Sequence, residues 1–150
     1  MKRKIIIGVL VLIVVAAIIG YRMYSKQTPD IVQDKPDVTV TAKDLIAAFE
    51  KDTMAAGKMY LDKIVEVSGT VKSVDTSGAV VMGEEGSPSE IVIGLDRRHV
   101  KEAAAIKVGS VATLQGICSG YNKSNGDPDD MLASLGATIQ LRSAGIKNKN

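Results

Sequence analysis

One short segment of this sequence has the residue types and spacing of a catalytic nucleophile. Residues 116–120 read Gly-Ile-Cys-Ser-Gly, the pattern of a nucleophile elbow with Cys118 in the serine position. That motif needs a strand before the nucleophile and a helix after it, whereas a polar loop is predicted after Gly120. The chain's one histidine, His99, is predicted on a short helix, with no sequence reason to meet Cys118. We therefore expect Cys118 to be a buried structural thiol and the protein not to be an enzyme.

Oxygen-bearing side chains are concentrated in two predicted loops. The six candidates for partner binding are Glu84, Glu85, Asn125, Asp127, Asp129 and Asp130. The second loop offers the oxygen ligands that Ca²⁺ prefers, but Gly126 and Pro128 do not match the spacing of an EF-hand. The run Asn-Gly-Asp-Pro is also ordinary turn chemistry. We therefore expect no metal and no cofactor, and a mildly acidic surface that contacts a partner through these loops.

The elements that must position these loops are predicted from the spacing of apolar residues. Thr41 and Asp44 form a capping signal for a helix that runs towards Tyr60, and beyond Lys63 the apolar residues alternate with a period of two. The predicted strands cover residues 64–74, 79–82, 91–95, 111–118 and about 131–141, with a short helix over 96–107. Three strands, a helix and two strands is the order of the OB-fold, a five-stranded Greek-key barrel. The predicted fold class is therefore mainly β with two helices, in which a helix precedes the barrel.

Several short motifs of this predicted domain also carry a family resemblance. They are Asp44-Leu45, Phe49-Glu50, Ala55-Ala56, Tyr60, residues 67–71 (Val-Ser-Gly-Thr-Val), Val108-Gly109 and residues 116–120. With these motifs, the chain from Ala42 to about Leu141 resembles the tRNA_anti-like family of bacterial OB-fold proteins. It departs from the family pattern at Asp52, where asparagine is common, and in the last strand, which lacks a second cysteine. The resemblance implies an OB-fold in a small anchored or exported protein. It supplies no catalytic residues, and the label alone does not imply RNA binding.

The first 24 residues are predicted to anchor the chain in a membrane. Cations at residues 2–4 precede an apolar run, and a helix over residues 5–24 reaches about 30 Å, the thickness of a hydrocarbon core. Tyr21 and Tyr24 stand where interfacial aromatic residues anchor a helix end. The excess of cations before the helix places the N-terminus inside and the rest outside the cytoplasmic membrane. A cleaved signal peptide, with an exported domain, is the alternative.

Composition divides the chain into four segments. The predicted boundaries are a transmembrane anchor at 1–24, a linker at 25–40 that contains Pro29 and Pro36, an OB-fold-like domain at 41–142 and a flexible tail at 143–150. The formal charge of the chain is +2, but residues 1–40 carry a net +3, which leaves the remaining residues at −1. The basic character therefore belongs to the anchor and linker, and it is no argument for nucleic-acid binding.

The strands that would bind nucleic acid in an OB-fold lack the necessary side chains. Such domains stack bases on aromatic residues of the second and third strands, here residues 79–82 and 91–95, which contain no ring. The acidic loops would also repel phosphates. We therefore predict a membrane-anchored binding module outside the cytoplasmic membrane, with a protein or an envelope component as its partner. A cytoplasm-facing module that binds single-stranded nucleic acid is the alternative.

Overall fold

The computed structural model describes residues 13–19, 30–123 and 136–147. Its strands are β1 (Val38–Thr41), β2 (Ile64–Val74), β3 (Ala79–Met82), β4 (Glu90–Leu95), β5 (Val111–Lys123) and β6 (Ala137–Ile146). The helices that accompany these strands are α1 (Ala42–Lys51), α2 (Thr53–Tyr60) and a 3₁₀ helix (Val100–Ala105).

Five of the strands close into a barrel. β2 pairs with β3, β3 with β4, and β6 with β5, each antiparallel, while β4 and β6 are parallel. β5 then pairs with the first part of β2 and completes the ring. β1 lies outside the ring, parallel to β2. This is the strand order of the OB-fold, so the predicted five-stranded barrel is confirmed.

The barrel core is made of aliphatic residues, as the scarcity of aromatic residues requires. Fully or almost fully buried side chains on the strands include Val65, Val67, Val71, Val80, Met82, Ile91, Ile93, Leu114 and Ile139. They alternate with more exposed neighbours because successive side chains of a strand point to opposite faces. Each such burial contributes about 1.5–3 kcal/mol relative to exposure.

Two helices stand where the sequence predicted one. The Thr41 hydroxyl accepts a hydrogen bond from the Asp44 N–H at 3.1 Å, which confirms the predicted helix start. Asp52 is extended (φ −152°), and its carboxylate accepts from the Ala55 N–H at 3.0 Å. Asp52 therefore ends α1 and caps α2. The class "mainly β" is confirmed, but its predicted count of two helices is too low.

The C-terminal elements differ in extent from the prediction. β5 continues to Lys123 instead of ending near Cys118, and β6 runs to Ile146, so the predicted tail at 143–150 begins inside a strand. The backbone N–H of Lys147 then donates to the backbone oxygen of Thr113 at 2.9 Å. The start of the predicted last strand, residues 131–135, lies outside the described residues.

The predicted short helix over 96–107 is a 3₁₀ helix that begins at Val100. The sequence also predicts Asp96 as its N-cap, but His99 is the residue before the helix, and one carboxylate oxygen of Asp96 accepts from the Arg98 N–H and Nε at 3.0 and 2.8 Å. The side chain is therefore occupied before the helix starts.

The N-terminal part of the domain packs more tightly than a linker would. Ile31 and Val32 are buried, and β1 lies in the sheet, so the predicted linker at 25–40 overlaps residues fixed on the barrel. The predicted anchor at 1–24 lies outside the described residues except for 13–19, which are helical and expose Ile and Val side chains. Among the described residues, none of the helices has the length and hydropathy to cross a membrane.

Candidate functional site

Cys118 is buried inside the barrel, as predicted. Its residue is 0% exposed, and burial raises the pKa of the thiol to about 11. β5 runs through residues 116–120 without a turn, so the strand-turn-helix context of a nucleophile elbow is not formed. The two ring nitrogens of His99 contact the carboxylates of Asp30 and Glu102. The structure therefore does not bring Cys118 and His99 together as a nucleophile and base.

Glu84 and Glu85 are exposed in the loop between β3 and β4. Glu84 forms an ion pair with Lys43 at the start of α1, with Oε1 and Nζ 3.0 Å apart. Glu85 borders a cleft of about 260 Å³ that is also lined by Lys72 and Val108. The Lys72 ammonium donates to the backbone oxygen of Ser87 at 3.0 Å, which places a cation beside the acidic loop. The cleft thus offers both charges and an apolar wall.

The β3–β4 loop is fixed to the start of β6. The Ser89 hydroxyl donates to Glu50 Oε1 at 2.6 Å and accepts from the Ala137 N–H at 3.1 Å. Gly136, at φ +68°, packs so closely that a Cβ there would lie 2.5 Å from the Pro88 carbonyl carbon. The loop that contains Glu84 and Glu85 therefore meets the end of the loop between β5 and β6.

The other four predicted site residues belong to that second loop. Asn125, Asp127, Asp129 and Asp130 lie outside the described residues. Within the part of the chain that the structure describes, no group of three or more acidic, histidine or cysteine side chains is placed to hold a metal ion.

The outer face of β3 and β4 carries small side chains. Val81 lies opposite Val92, and Ala79 lies opposite Gly94, all of them half-buried. Side chains alternate between the two faces of a strand, so these four residues point out of the barrel. OB-folds commonly bind ligands on this outer face. None of the four residues supplies an aromatic ring for base stacking.

The three aromatic residues among the described segments form one cluster inside the domain. The Phe49 ring stacks on Tyr121, with centroids 4.8 Å apart and planes at 14°, and its centroid is 5.9 Å from that of Tyr60. Phe49 is fully buried and Tyr60 nearly so. These rings therefore contribute to the core at the α1 end of the barrel and are not a platform for bases.

A further constellation, which the sequence analysis did not predict, surrounds residues 30–34, which we name the strap. The strap lies across the outside of β5 and β6. The buried Gln115 amide donates to the backbone oxygens of Ile31 and Asp34. The Lys147 ammonium donates to the oxygens of Val32 and Asp34, both at 3.1 Å, and to Gln115 Oε1 at 2.8 Å. Gln115 and Lys147 therefore supply hydrogen-bond donors to the backbone carbonyls of the strap where it covers the barrel.

His99 holds the first residue of the strap. Its Nε2 lies 3.1 Å from both carboxylate oxygens of Asp30, and its Nδ1 lies 2.9 Å from Glu102 Oε1. The hydrogen bond to Glu102, and then that to Asp30, outweigh burial and raise the pKa of His99. The polar Gln115, between Leu114 and the run Gly116-Ile117-Cys118, is the sequence signal that could have indicated this arrangement.

The sequence matches the tRNA_anti-like family over residues 1–126. The chain belongs to the tRNA_anti-like family. The resemblance inferred from its motifs is therefore confirmed.

Comparison with solved structures gives the same fold for this tRNA_anti-like protein. It is similar to the crystal structure of a proposed nucleic acid-binding lipoprotein from Klebsiella pneumoniae subsp. pneumoniae, with 18% identity and a TM-score of 0.54. The match covers 82% of this chain and 100% of the other. At that identity the likeness shows the fold alone. No curated protein matches the sequence.

The tRNA_anti-like motifs mark structural positions in this chain. Gly69 in β2 faces α1 so closely that a Cβ would lie 2.5 Å from Ala42 Cβ, and Gly116 faces Ala144 at 2.9 Å. Asp52, where the chain departs from the family pattern, still caps α2. The family motifs therefore account for packing of the barrel and its helices.

Proposed function

We propose that this protein is a non-catalytic binding module, joined to the cytoplasmic membrane by residues 5–24, with its barrel outside. Its partner is a protein or an envelope component, bound through the loop of Glu84 and Glu85 and the adjoining β5–β6 loop. The observation that carries the proposal is the packing of the Phe49, Tyr60 and Tyr121 rings in one cluster, with Phe49 and Tyr60 buried and Tyr121 half-buried. This arrangement leaves the outer face of β3 and β4 without a stacking platform.

The charges at the cleft support a protein surface as the partner. Glu84 and Glu85 are exposed beside the Lys72 ammonium, and Val108 supplies an apolar wall. Mixed charges with an apolar contact are typical of protein interfaces, whereas a nucleic-acid site requires several cations aligned for phosphates. The buried Cys118 thiol supports the absence of catalysis because the thiolate, not the thiol, is the nucleophile.

Single-stranded nucleic-acid binding in the cytoplasm is the second candidate. The proposed nucleic acid-binding character of the similar Klebsiella pneumoniae lipoprotein favours it. In this chain, such binding would have to use groups other than aromatic rings on β3 and β4. It would also require the barrel to lie inside the cell.

A compartment-sensitive reporter fused after Asn150, in a bacterial host, tests the orientation. We expect activity of a reporter that functions outside the membrane, in the membrane fraction. In parallel, the full chain in detergent is titrated against labelled oligonucleotides of mixed sequence. Reporter activity inside, together with oligonucleotide binding that weakens as salt rises, would replace the proposal with the second candidate.

The partner surface is tested by site-specific photo-crosslinking in cells. A photoreactive residue replaces Glu85 in one variant and the equally solvent-facing Lys58 of α2 in a control. We expect position 85 to crosslink to one discrete envelope protein and position 58 not to do so. The same crosslinks at both positions would show that the Glu85 loop is not the binding surface.

A further inference from the structure

The strap shortens the tether between the predicted anchor and the barrel. This inference rests on the proposed membrane attachment. Because Asp30 is fixed by His99 and the predicted helix ends at Tyr24, only residues 25–29 connect the two. A chain of that length extends over at most about 20 Å. The surface of the barrel near Asp30 must therefore remain close to the bilayer.

The strap also determines which end of the barrel the tether reaches. Asp30 contacts His99, the residue before the 3₁₀ helix, and the strap passes Gln115, which pairs with Gly145. The chain then runs away from this end to Asp37, whose N–H donates to the Ile64 oxygen at 2.8 Å. The tether therefore arrives where β5 begins and β6 ends.

The surface at this end of the barrel exposes both apolar side chains and cations. Val111 is 75% exposed and Val108 is 65% exposed. Beside Val111 lies a groove of about 360 Å³, lined by Ile106 and Ile146 and by Lys147, which also holds the strap. We name this area the Val111 surface. The segment that leads to Val108 carries the exposed cations Arg97, Lys101 and Lys107.

Two carboxylates at the 3₁₀ helix and just before it are held by cations. Glu102 accepts from His99 at 2.9 Å, and Asp96 forms two hydrogen bonds with the Arg98 guanidinium at 2.8 and 2.9 Å. Lys101 and Lys107 remain exposed on the same segment.

A second exposed apolar area lies at the other end of β5. Met54 on α2 is 75% exposed. Helix α2 directly follows α1, and Phe49 of α1 stacks on Tyr121 near the end of β5, so Met54 lies towards that end of the strand. Tyr121 is ten residues from Val111 along β5, a separation of about 33 Å. Two equally exposed apolar residues thus lie at opposite ends of the strand, and the tether reaches only the Val111 end.

We propose that the Val111 surface lies on the headgroup region of an anionic bilayer. Val111 inserts among the headgroups, and Lys101 and Lys107 contact lipid phosphates, the combination that interfacial binding uses. The short tether supplies a high effective concentration of this surface at the membrane, so weak contacts suffice. Val108 lines the cleft beside Glu85 and stays available to a partner.

Depth-dependent quenching in reconstituted vesicles tests this orientation. The full chain, with V111C or M54C, is labelled with an environment-sensitive fluorophore, while the buried Cys118 stays unlabelled. The vesicles contain phosphatidylcholine, phosphatidylglycerol and a lipid with a nitroxide on its headgroup. We expect several-fold stronger quenching at position 111 than at position 54. Equal quenching at both ends, or stronger quenching at 54, would overturn the proposal.

Two controls separate the surface from the anchor. In the K101E/K107E double variant, or in vesicles of phosphatidylcholine alone, we expect quenching at position 111 to fall towards that at position 54. Flotation of the vesicles after an alkaline wash reports the anchor independently. A chain that floats without preferential quenching contradicts only the Val111 surface, whereas a chain that fails to float contradicts the proposed attachment and, with it, this inference.

Discussion

The imidazole Nε2 of His99 lies 3.1 Å from both carboxylate oxygens of Asp30, a residue 69 positions earlier in the chain. Glu102 faces the opposite ring nitrogen at 2.9 Å, so His99 uses both nitrogens towards carboxylates, and only the imidazolium can donate to both. The hydrogen bond to Glu102 contributes most to the raised pKa of His99. Burial acts to raise the pKa of Asp30, but the hydrogen bonds from His99 and from the Val32 N–H lower it overall.

These shifts predict a dependence of stability on pH. Because the folded pKa of His99 is above its unfolded value of about 6.5, its contribution is complete below that pH and is lost as pH rises through the folded pKa. We expect the free energy of unfolding to decrease by about 0.5–1 kcal/mol between about pH 6 and pH 9. Asp30 acts in the opposite direction in acid, where its contribution is lost as pH falls through its folded pKa.

Denaturant titration of the full chain in detergent at the two pH values measures this effect. In His99→Gln the difference between the two pH values should shrink, because glutamine cannot take up the proton. An undiminished difference in His99→Gln would assign the pH dependence to other groups.

The absence of a side chain at Gly145 is predicted to be required for the strap to pack against β6. A Cβ at this position would lie 2.5 Å from Val32 Cγ2 and 2.9 Å from His99 Cγ, so Gly145→Ala must displace one of them. We expect a loss of about 1–3 kcal/mol in stability and faster proteolysis near residue 32. Gly94→Ala, on the neighbouring strand, is the matched control because its Cβ would meet only the Leu141 oxygen at 3.7 Å. Equal stability of the two variants would show that the strap does not press on Gly145.

Three of the five barrel strands, β2, β3 and β4, could be predicted almost residue by residue. β2 and β3 have the predicted bounds, and β4 begins one residue earlier than expected. In these strands, buried Val, Ile and Met alternate with less buried residues, so a local pattern of period two reports the fold directly. Gly69 stands where α1 approaches β2 closely, because a Cβ there would lie 2.5 Å from Ala42 Cβ.

The strap could not be predicted, because nothing in its local pattern reports its partners. Ile31 and Val32 are two apolar residues among prolines and charges, and Gln115 binds the strap across 84 positions of sequence. The candidate site was predicted in part. Glu84 and Glu85 are exposed at a loop as expected. The hydrogen bonds of Ser89, however, join the β3–β4 loop to α1 and β6, and these elements come together only in the folded chain.

The Tyr121 hydroxyl is predicted to contribute nothing to stability. Its oxygen is buried and has no hydrogen-bond partner among the described residues, while its ring stacks on Phe49. Removing a buried hydroxyl without a partner relieves a desolvation cost, so Tyr121→Phe should equal the native stability or exceed it by up to about 1 kcal/mol. Phe49→Ala should instead cost about 3–5 kcal/mol because it removes the ring between Tyr60 and Tyr121. A clear destabilisation by Tyr121→Phe in thermal unfolding would show that the hydroxyl has a partner.

The Cys118 thiol is predicted to be inert while the barrel is intact. The side chain is fully buried on β5, and burial raises the pKa of the thiol to about 11, so neither access nor thiolate is available near neutral pH. Labelling with a maleimide should therefore follow unfolding, with little modification over hours in buffer and complete modification in denaturant. An exposed thiol in the variant Met54→Cys controls for reagent activity. Rapid stoichiometric labelling of native Cys118 would mean that β5 opens readily, and it would return the thiol to consideration as a reactive group.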